Sequence, residues 1–175
     1  DPVAWWEERR IIARRSVGPN HVQHWPAAYE LARDHRLKEG DAAIEAEFIA
    51  GWVALRYLKK ADLGMFHFGN LKRLSSTRTD KARAAYWIGR SYSAMGDKST
   101  AQAAYNAAAK HSTVYYGQLA RAKLGMPQLE LNGVPRGRGS ERLEIVRAVQ
   151  LLYELDEREL AIPIFGDMGE NGDPD

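Results

Sequence analysis

Ile88-Gly89-Arg90-Ser91-Tyr92-Ser93-Ala94-Met95-Gly96-Asp97-Lys98-Ser99-Thr100-Ala101-Gln102-Ala103-Ala104-Tyr105-Asn106-Ala107-Ala108 is the stretch on which the fold turns. Its small and apolar residues recur at three- and four-residue steps on either side of Gly96, a pattern that predicts two helices joined by a tight turn. Each position has a physical role. Small Gly89, Ala101 and Ala108 let two antiparallel helices approach, Tyr92 and Tyr105 fill the space between them, and Gly96 lets the backbone reverse.

This spacing is that of a tetratricopeptide-type helix pair. It departs at Ala85, where that pattern has its early tryptophan; the indole here is displaced to Trp87. A weaker copy lies upstream, with Gly64-x-x-x-Phe68 standing to Ala101-x-x-x-Tyr105 and the helix holding Trp52 standing to the one holding Tyr92. A single pair cannot bury its apolar face alone, so successive pairs add side by side. The expected fold is therefore all-α, a right-handed α-superhelix (α-α superhelix) of stacked tetratricopeptide-like helix pairs with a concave surface.

Outward from this core the period stays helical, predicting helices at 2–15, 22–35, 41–59, 61–74, 80–95, 98–110, 113–124, 140–154 and 157–168. In the third, Ile44, Phe48, Trp52, Leu55 and Leu58 form one apolar stripe. In the fifth, Ala85, Ile88, Tyr92 and Met95 share a face while Trp87 points elsewhere, as in a helix with neighbours on two sides. Asp1-Pro2 reads as a cap and first helical position. Gly40-Asp41, Thr79-Asp80, Asp97, Ser112 and Ser140 stand at further starts, and Gly125 before Pro127 reads as a stop. Two prolines and three further glycines break every helical pattern between Met126 and Gly139, which places a subdomain boundary there. Gly172-Asp173-Pro174-Asp175 repeats the cap-then-proline signal with no helix after it, so the chain is expected to be cut at that point, a natural polar tail being the alternative.

The totals exclude several classes of function. A net charge of +2, from 25 basic and 23 acidic side chains, gives no reason to expect a nucleic-acid binder. The absence of cysteine removes disulfides, thiolate metal sites and a Cys nucleophile. No apolar run approaches the roughly 18 residues of a membrane span, and no signal-peptide pattern opens the chain.

The search for chemistry yields fragments. His21 and His24 share a helix face at i, i+3, but two ligands do not hold zinc or iron. His35, His67 and His111 lie near helix ends or in aromatic stretches, where hydrogen-bonded structural histidines are the common case. The carboxylate pairs Glu7-Glu8, Glu45 with Glu47, and Asp156-Glu157 read mostly as solvated faces, the first also suiting a helix macrodipole, and their proximity in sequence says nothing about a separation across a cleft. Arg9-Arg10, Arg14-Arg15, Arg136 and Arg138 are basic clusters without the aromatic interleaving of a stacking surface. Trp52, Trp87, Tyr92 and Tyr105 read as core. At Trp5-Trp6 one indole is expected to face the core and its neighbour a partner or further helices.

Taken together, Glu47-Phe48-Ile49-Ala50-Gly51-Trp52-Val53-Ala54-Leu55-Arg56, His67-Phe68, Arg83-Ala84-Ala85-Tyr86-Trp87-Ile88-Gly89-Arg90 and Tyr115-Tyr116-Gly117-Gln118-Leu119-Ala120 resemble the soluble lytic transglycosylases. Gly64 departs, where the family leads one to expect alanine. The resemblance implies a periplasmic bacterial protein in which an α-superhelical domain and a small helical linker domain support a lysozyme-like domain that cleaves peptidoglycan glycan. It maps residues 1–125 onto the end of the superhelical domain, 126–139 onto a linker loop and 140–175 onto a truncated start of the linker domain.

The family's acid is a glutamate followed by serine, and no Glu-Ser dipeptide occurs here; its Gly-Leu-Met-Gln segment is missing too. No catalytic, cofactor-binding or metal-binding residue is therefore carried over, and no cofactor is expected. The implied function is a non-catalytic scaffold whose partners are the catalytic domain of the same protein and peptidoglycan, with no nucleic acid and no membrane span. A freestanding tetratricopeptide-like interaction module is the competing expectation. A complete small helical enzyme is a third, without a supporting motif.

Overall fold

Asp1 opens the first helix by accepting the amides of Val3 at 2.9 Å and Ala4 at 3.4 Å, so that α1 spans Pro2–Arg15. The structure, a computed structural model, describes residues 1–127 and 144–171. A 3₁₀ turn over Pro19–His24 follows α1. Next come α2 (Trp25–Arg33), α3 (Gly40–Arg56), α4 (Ala61–Leu74), α5 (Arg78–Ala94), α6 (Lys98–Ala109), α7 (Tyr115–Lys123), α8 (Glu144–Glu154) and α9 (Arg158–Asn171). No strand occurs among the described residues, and the all-α expectation holds.

Several boundaries move, each for a local reason. The helix expected over 22–35 is a 3₁₀ turn followed by α2, because His21 leaves helical geometry at φ −125° and Pro26 tolerates only the first turn of a helix. The third helix stops at Arg56 and not 59, since Lys59 turns left-handed at φ 58°. Capping differs too. Thr77, not Thr79-Asp80, starts α5, its hydroxyl accepting the Asp80 amide at 3.1 Å while donating to the Asp80 carboxylate at 2.8 Å. Neither α3 nor α7 has a side-chain cap, so Asp41 and Ser112 do not serve as expected. Asp97 does cap α6, accepting from Thr100 at 3.0 Å. Ser140 and the 126–139 loop beyond residue 127 lie outside the described residues.

Gly96 makes the predicted reversal at φ 84°. The amides of Gly96 and Asp97 return to the carbonyls of Ser93 and Tyr92, closing the end of α5 as a Schellman motif. Gly125, at φ 67°, ends α7 in the same way, with Met126 bonded back to Arg121.

The chain divides into two compact units, residues 1–128 and 129–175. Within the first, each helix packs on its successor from α1 to α7, and α1 on α3, α3 on α5 and α5 on α7. The helix pairs are closed by one device used twice. A Cβ added at Gly51 of α3 would fall 2.7 Å from the Phe68 ring of α4, and one at Gly89 of α5 would fall 2.7 Å from the Tyr105 ring of α6. In both cases a glycine gap receives an aromatic ring from the next helix, the arrangement anticipated for Gly89 and Tyr105. Gly64, unexpected beside the family pattern, faces the Leu55 Cβ, to which an added Cβ would come within 3.0 Å. Gly69, by contrast, meets nothing within 4 Å. Gly69→Ala is therefore expected to raise stability by about 0.5–1 kcal/mol through helix propensity and unfolded-state entropy, read from the urea midpoint.

The apolar stripe expected on α3 is only part of its buried surface. Ala43, Ile44, Ala46, Ile49, Ala50, Val53, Ala54 and Leu55 are all buried, covering most of the circumference. Two core clusters meet on this helix, one with Trp6, Ala28, Tyr29 and Ala32, the other with Phe68, Leu71, Trp87 and Tyr105. Trp87 is buried against Phe48 and Phe68, at 5.9 and 5.5 Å between ring centroids. Met95 is exposed at 45 % and drops out of the predicted α5 face; it is the C-cap at which the helix already ends.

In the second unit α8 and α9 are joined by a turn with Asp156 at φ 59°. Val149 and Ala161 are buried. Pro163 lies inside α9, where it removes one helical hydrogen bond. No described helix is long and apolar enough to cross a membrane.

Candidate functional site

A helix built mainly of apolar residues has little reason to turn a carboxylate inward unless that group has partners. Glu47 of α3 does turn inward, and is 8 % exposed. Its Oε2 lies 2.6 Å from His67 Nδ1 of α4. Its Oε1 accepts from Asn70 Nδ2 at 3.0 Å and stands 3.5 Å from His35 Nε2, in the connector after α2. On the far side of His67, Nε2 meets the Tyr29 hydroxyl of α2 at 3.1 Å. Five side chains from α2, its connector, α3 and α4 thus form one buried polar cluster.

The hydrogen bonds assign the protons. His35 Nδ1 accepts the Leu37 amide at 3.1 Å, so the ring is neutral and carries its proton on Nε2, facing Glu47. His67 donates from Nδ1 to Glu47. Its Nε2 accepts the Tyr29 hydroxyl when the ring is neutral and donates to the phenolic oxygen when it is charged, so either state keeps the bond. Burial pushes the Tyr29 hydroxyl up from its ordinary range against the lowering effect of Arg33, which keeps it a neutral donor.

Burial alone would raise the Glu47 carboxyl, yet the hydrogen bonds from His35 and His67 outweigh it and hold the group at about 2. A carboxyl depressed in the folded state contributes stability above its unfolded value of 4.5 and loses it as pH falls towards about 2. The loss across that window is expected to be about 3 kcal/mol. Urea midpoints measured from pH 5 down to about 2.5 check this, and Glu47→Gln flattens the profile.

Tyr29 and His67 floor an open groove of about 640 Å³ between α2 and α4, with Arg33, Lys60 and the exposed Phe66 at its rim. That volume lies in the range of ligand clefts. A larger hollow of about 820 Å³ beside α1 is lined by charges already spent on one another. Arg9 there donates to the Leu31 and Glu30 carbonyls and pairs with Asp34 at 3.6 Å.

The other residues singled out in the sequence stay apart from this cluster. His21 and His24 lie 6.1 Å apart between ring centroids in the 3₁₀ turn, and His24 faces Gln23. His111 follows the Lys110 C-cap of α6, and its imidazole pKa is lowered by burial and by Lys81, Arg78 and Lys110. Glu7 pairs with Arg10, which also meets Glu45 at 3.2 Å; Arg14 lies 3.9 Å from Glu45. Trp6 is fully buried and Trp5 is 60 % exposed, dividing the pair as expected. Arg136 and Arg138 lie outside the described residues. No three His, Cys, Asp or Glu among the described residues are disposed to hold a metal ion.

Glu45 and Glu47, neighbours in the sequence, lie on different faces of α3: Glu45 serves Arg10 and Arg14 while Glu47 is buried and serves the histidines. One signal was present, a charge at a core position of a helix otherwise apolar along that face. Comparison with known proteins finds no family model that matches the chain, and no curated protein or solved structure that resembles it significantly.

Proposed function

We propose that this chain is a non-catalytic helical scaffold of the soluble lytic transglycosylase kind. In this reading residues 1–125 form part of a right-handed superhelix that braces a peptidoglycan-cleaving domain in the periplasm and helps guide glycan strands. The supporting observation is the repeated fit of an aromatic ring into a helix glycine, Phe68 at Gly51 and Tyr105 at Gly89, within helices that pack each on the next. Repeated units of this kind extend by addition and give a surface suited to bracing. The resemblance through Tyr115-Tyr116-Gly117-Gln118-Leu119-Ala120 supplies the cell-wall assignment.

The test is incubation of the purified chain with cell-wall sacculi, and with a lytic transglycosylase catalytic domain as bait. Retention of the bait with no release of anhydro-muropeptides is expected. Release of such products by the chain alone, or no retention of either sacculi or bait, defeats the proposal. The groove between α2 and α4, with Phe66 and Lys60 open to solvent, favours a second reading, a freestanding tetratricopeptide-like module that binds a partner peptide. Selective recovery of a cytoplasmic partner supports it.

A further inference from the structure

The connector between α2 and α3, residues 34–39, is held in a conformation it does not favour by itself. Arg36 sits at φ 57°, where Cβ crowds the following carbonyl. What fixes the connector is His35, 7 % exposed and edge-on to Trp6 of α1 at 6.1 Å. One ring nitrogen accepts the Leu37 amide and the other faces Glu47. The charged and titratable groups around it come from several elements. Glu47 comes from α3, with His67 behind it on α4 and Tyr29 behind that on α2. From α1 comes Arg9, paired with Asp34, which also pairs with Arg36 at 3.3 Å within the connector.

The two histidines respond differently to acid. His67 can gain a proton and keep both of its bonds, as its contact with Tyr29 works in either direction. His35 cannot, because its second proton must occupy Nδ1, the atom that accepts Leu37. The ring would then lose its backbone anchor and bury an N–H without an acceptor. Glu47 stands 3.5 Å from Nε2 and favours a charged ring, but it faces Nε2 and cannot accept from Nδ1.

We propose that residues 34–39 form an acid-operated latch, in which proton uptake at His35 Nδ1 breaks its bond to the Leu37 amide and frees the connector from α3. The device goes beyond the scaffold role and does not depend on it.

Hydrogen exchange of the full chain, followed as the pH is lowered from about 7.5 to 5, tests the latch. Corrected for the intrinsic exchange rate, protection of the Leu37 amide is expected to fall about tenfold, the effect of losing one hydrogen bond of ordinary net strength. Amides of α5 and α6 should keep theirs. His35→Asn places an oxygen near the Nδ1 position that accepts the amide and takes up no proton, so its profile should be flat. In the unaltered protein, ¹⁵N imidazole signals should show His35 passing from the Nε2–H tautomer to imidazolium as Leu37 loses protection. Unchanged Leu37 protection, an equal fall in His35→Asn, a fall shared by α5 and α6, or titration of His35 out of step with Leu37 overturns the latch.

Discussion

Replacing Glu47 by alanine is expected to lower the stability of the first unit by about 3–5 kcal/mol, the range seen when one member of a buried charged network is removed. The side chain is 8 % exposed, and its removal leaves Asn70, His67 and His35 facing a space with no acceptor. Three donors then carry the desolvation cost that Glu47 had offset. Glu47→Gln keeps the volume and one acceptor oxygen, so its loss should be about half as large or less. Thermal and urea unfolding distinguish the two. Equal midpoints for Glu47→Ala and the unaltered protein would mean that the cluster contributes no net stability.

Gly117→Ala should be damaging for a different reason. Gly117 lies in the first turn of α7, and a Cβ there would stand 1.8 Å from the His111 carbonyl oxygen. At Gly51 and Gly89 the obstacle is an aromatic ring, which can shift; at Gly117 it is backbone, which must move with the end of α6. The cost is expected to reach or exceed the upper part of the usual overpacking range, about 3 kcal/mol. Circular dichroism melts of Gly117→Ala and Gly69→Ala should therefore move in opposite directions, although both place the same methyl group on a helix. A melt of Gly117→Ala matching that of the unaltered protein would contradict the packing at this site.

The contrast shows where the sequence was readable. Helix existence followed from period, and the turn at Gly96 from glycine between two small-residue patterns. These are local properties, set by residues within one or two turns of each other. Gly117 lies in the 115–120 segment that carries the resemblance, but its physical function, clearance for a carbonyl six residues earlier, appears only once α6 and α7 are folded against each other. The polar cluster was harder still to anticipate. Tyr29, His35, Glu47, His67 and Asn70 span 41 positions, 70 − 29, along the chain. Only Glu47 lay at a place where local pattern marked it as anomalous. The surroundings of His35 and His67 imply hydrogen-bonded residues, but nothing in their neighbourhoods names a shared carboxylate. Side chains brought together by tertiary packing leave no periodic trace.

The position of α3 also bears on how the first unit comes apart. Its residues furnish one flank of the Trp6 and Tyr29 core and one flank of the Phe68 and Trp87 core. Melting of either side strips that helix of half its cover, and the other side loses its wall in the same event. This shared spine transmits a local failure across the middle, so these residues are expected to unfold as a single cooperative block, with one common transition for probes on either side.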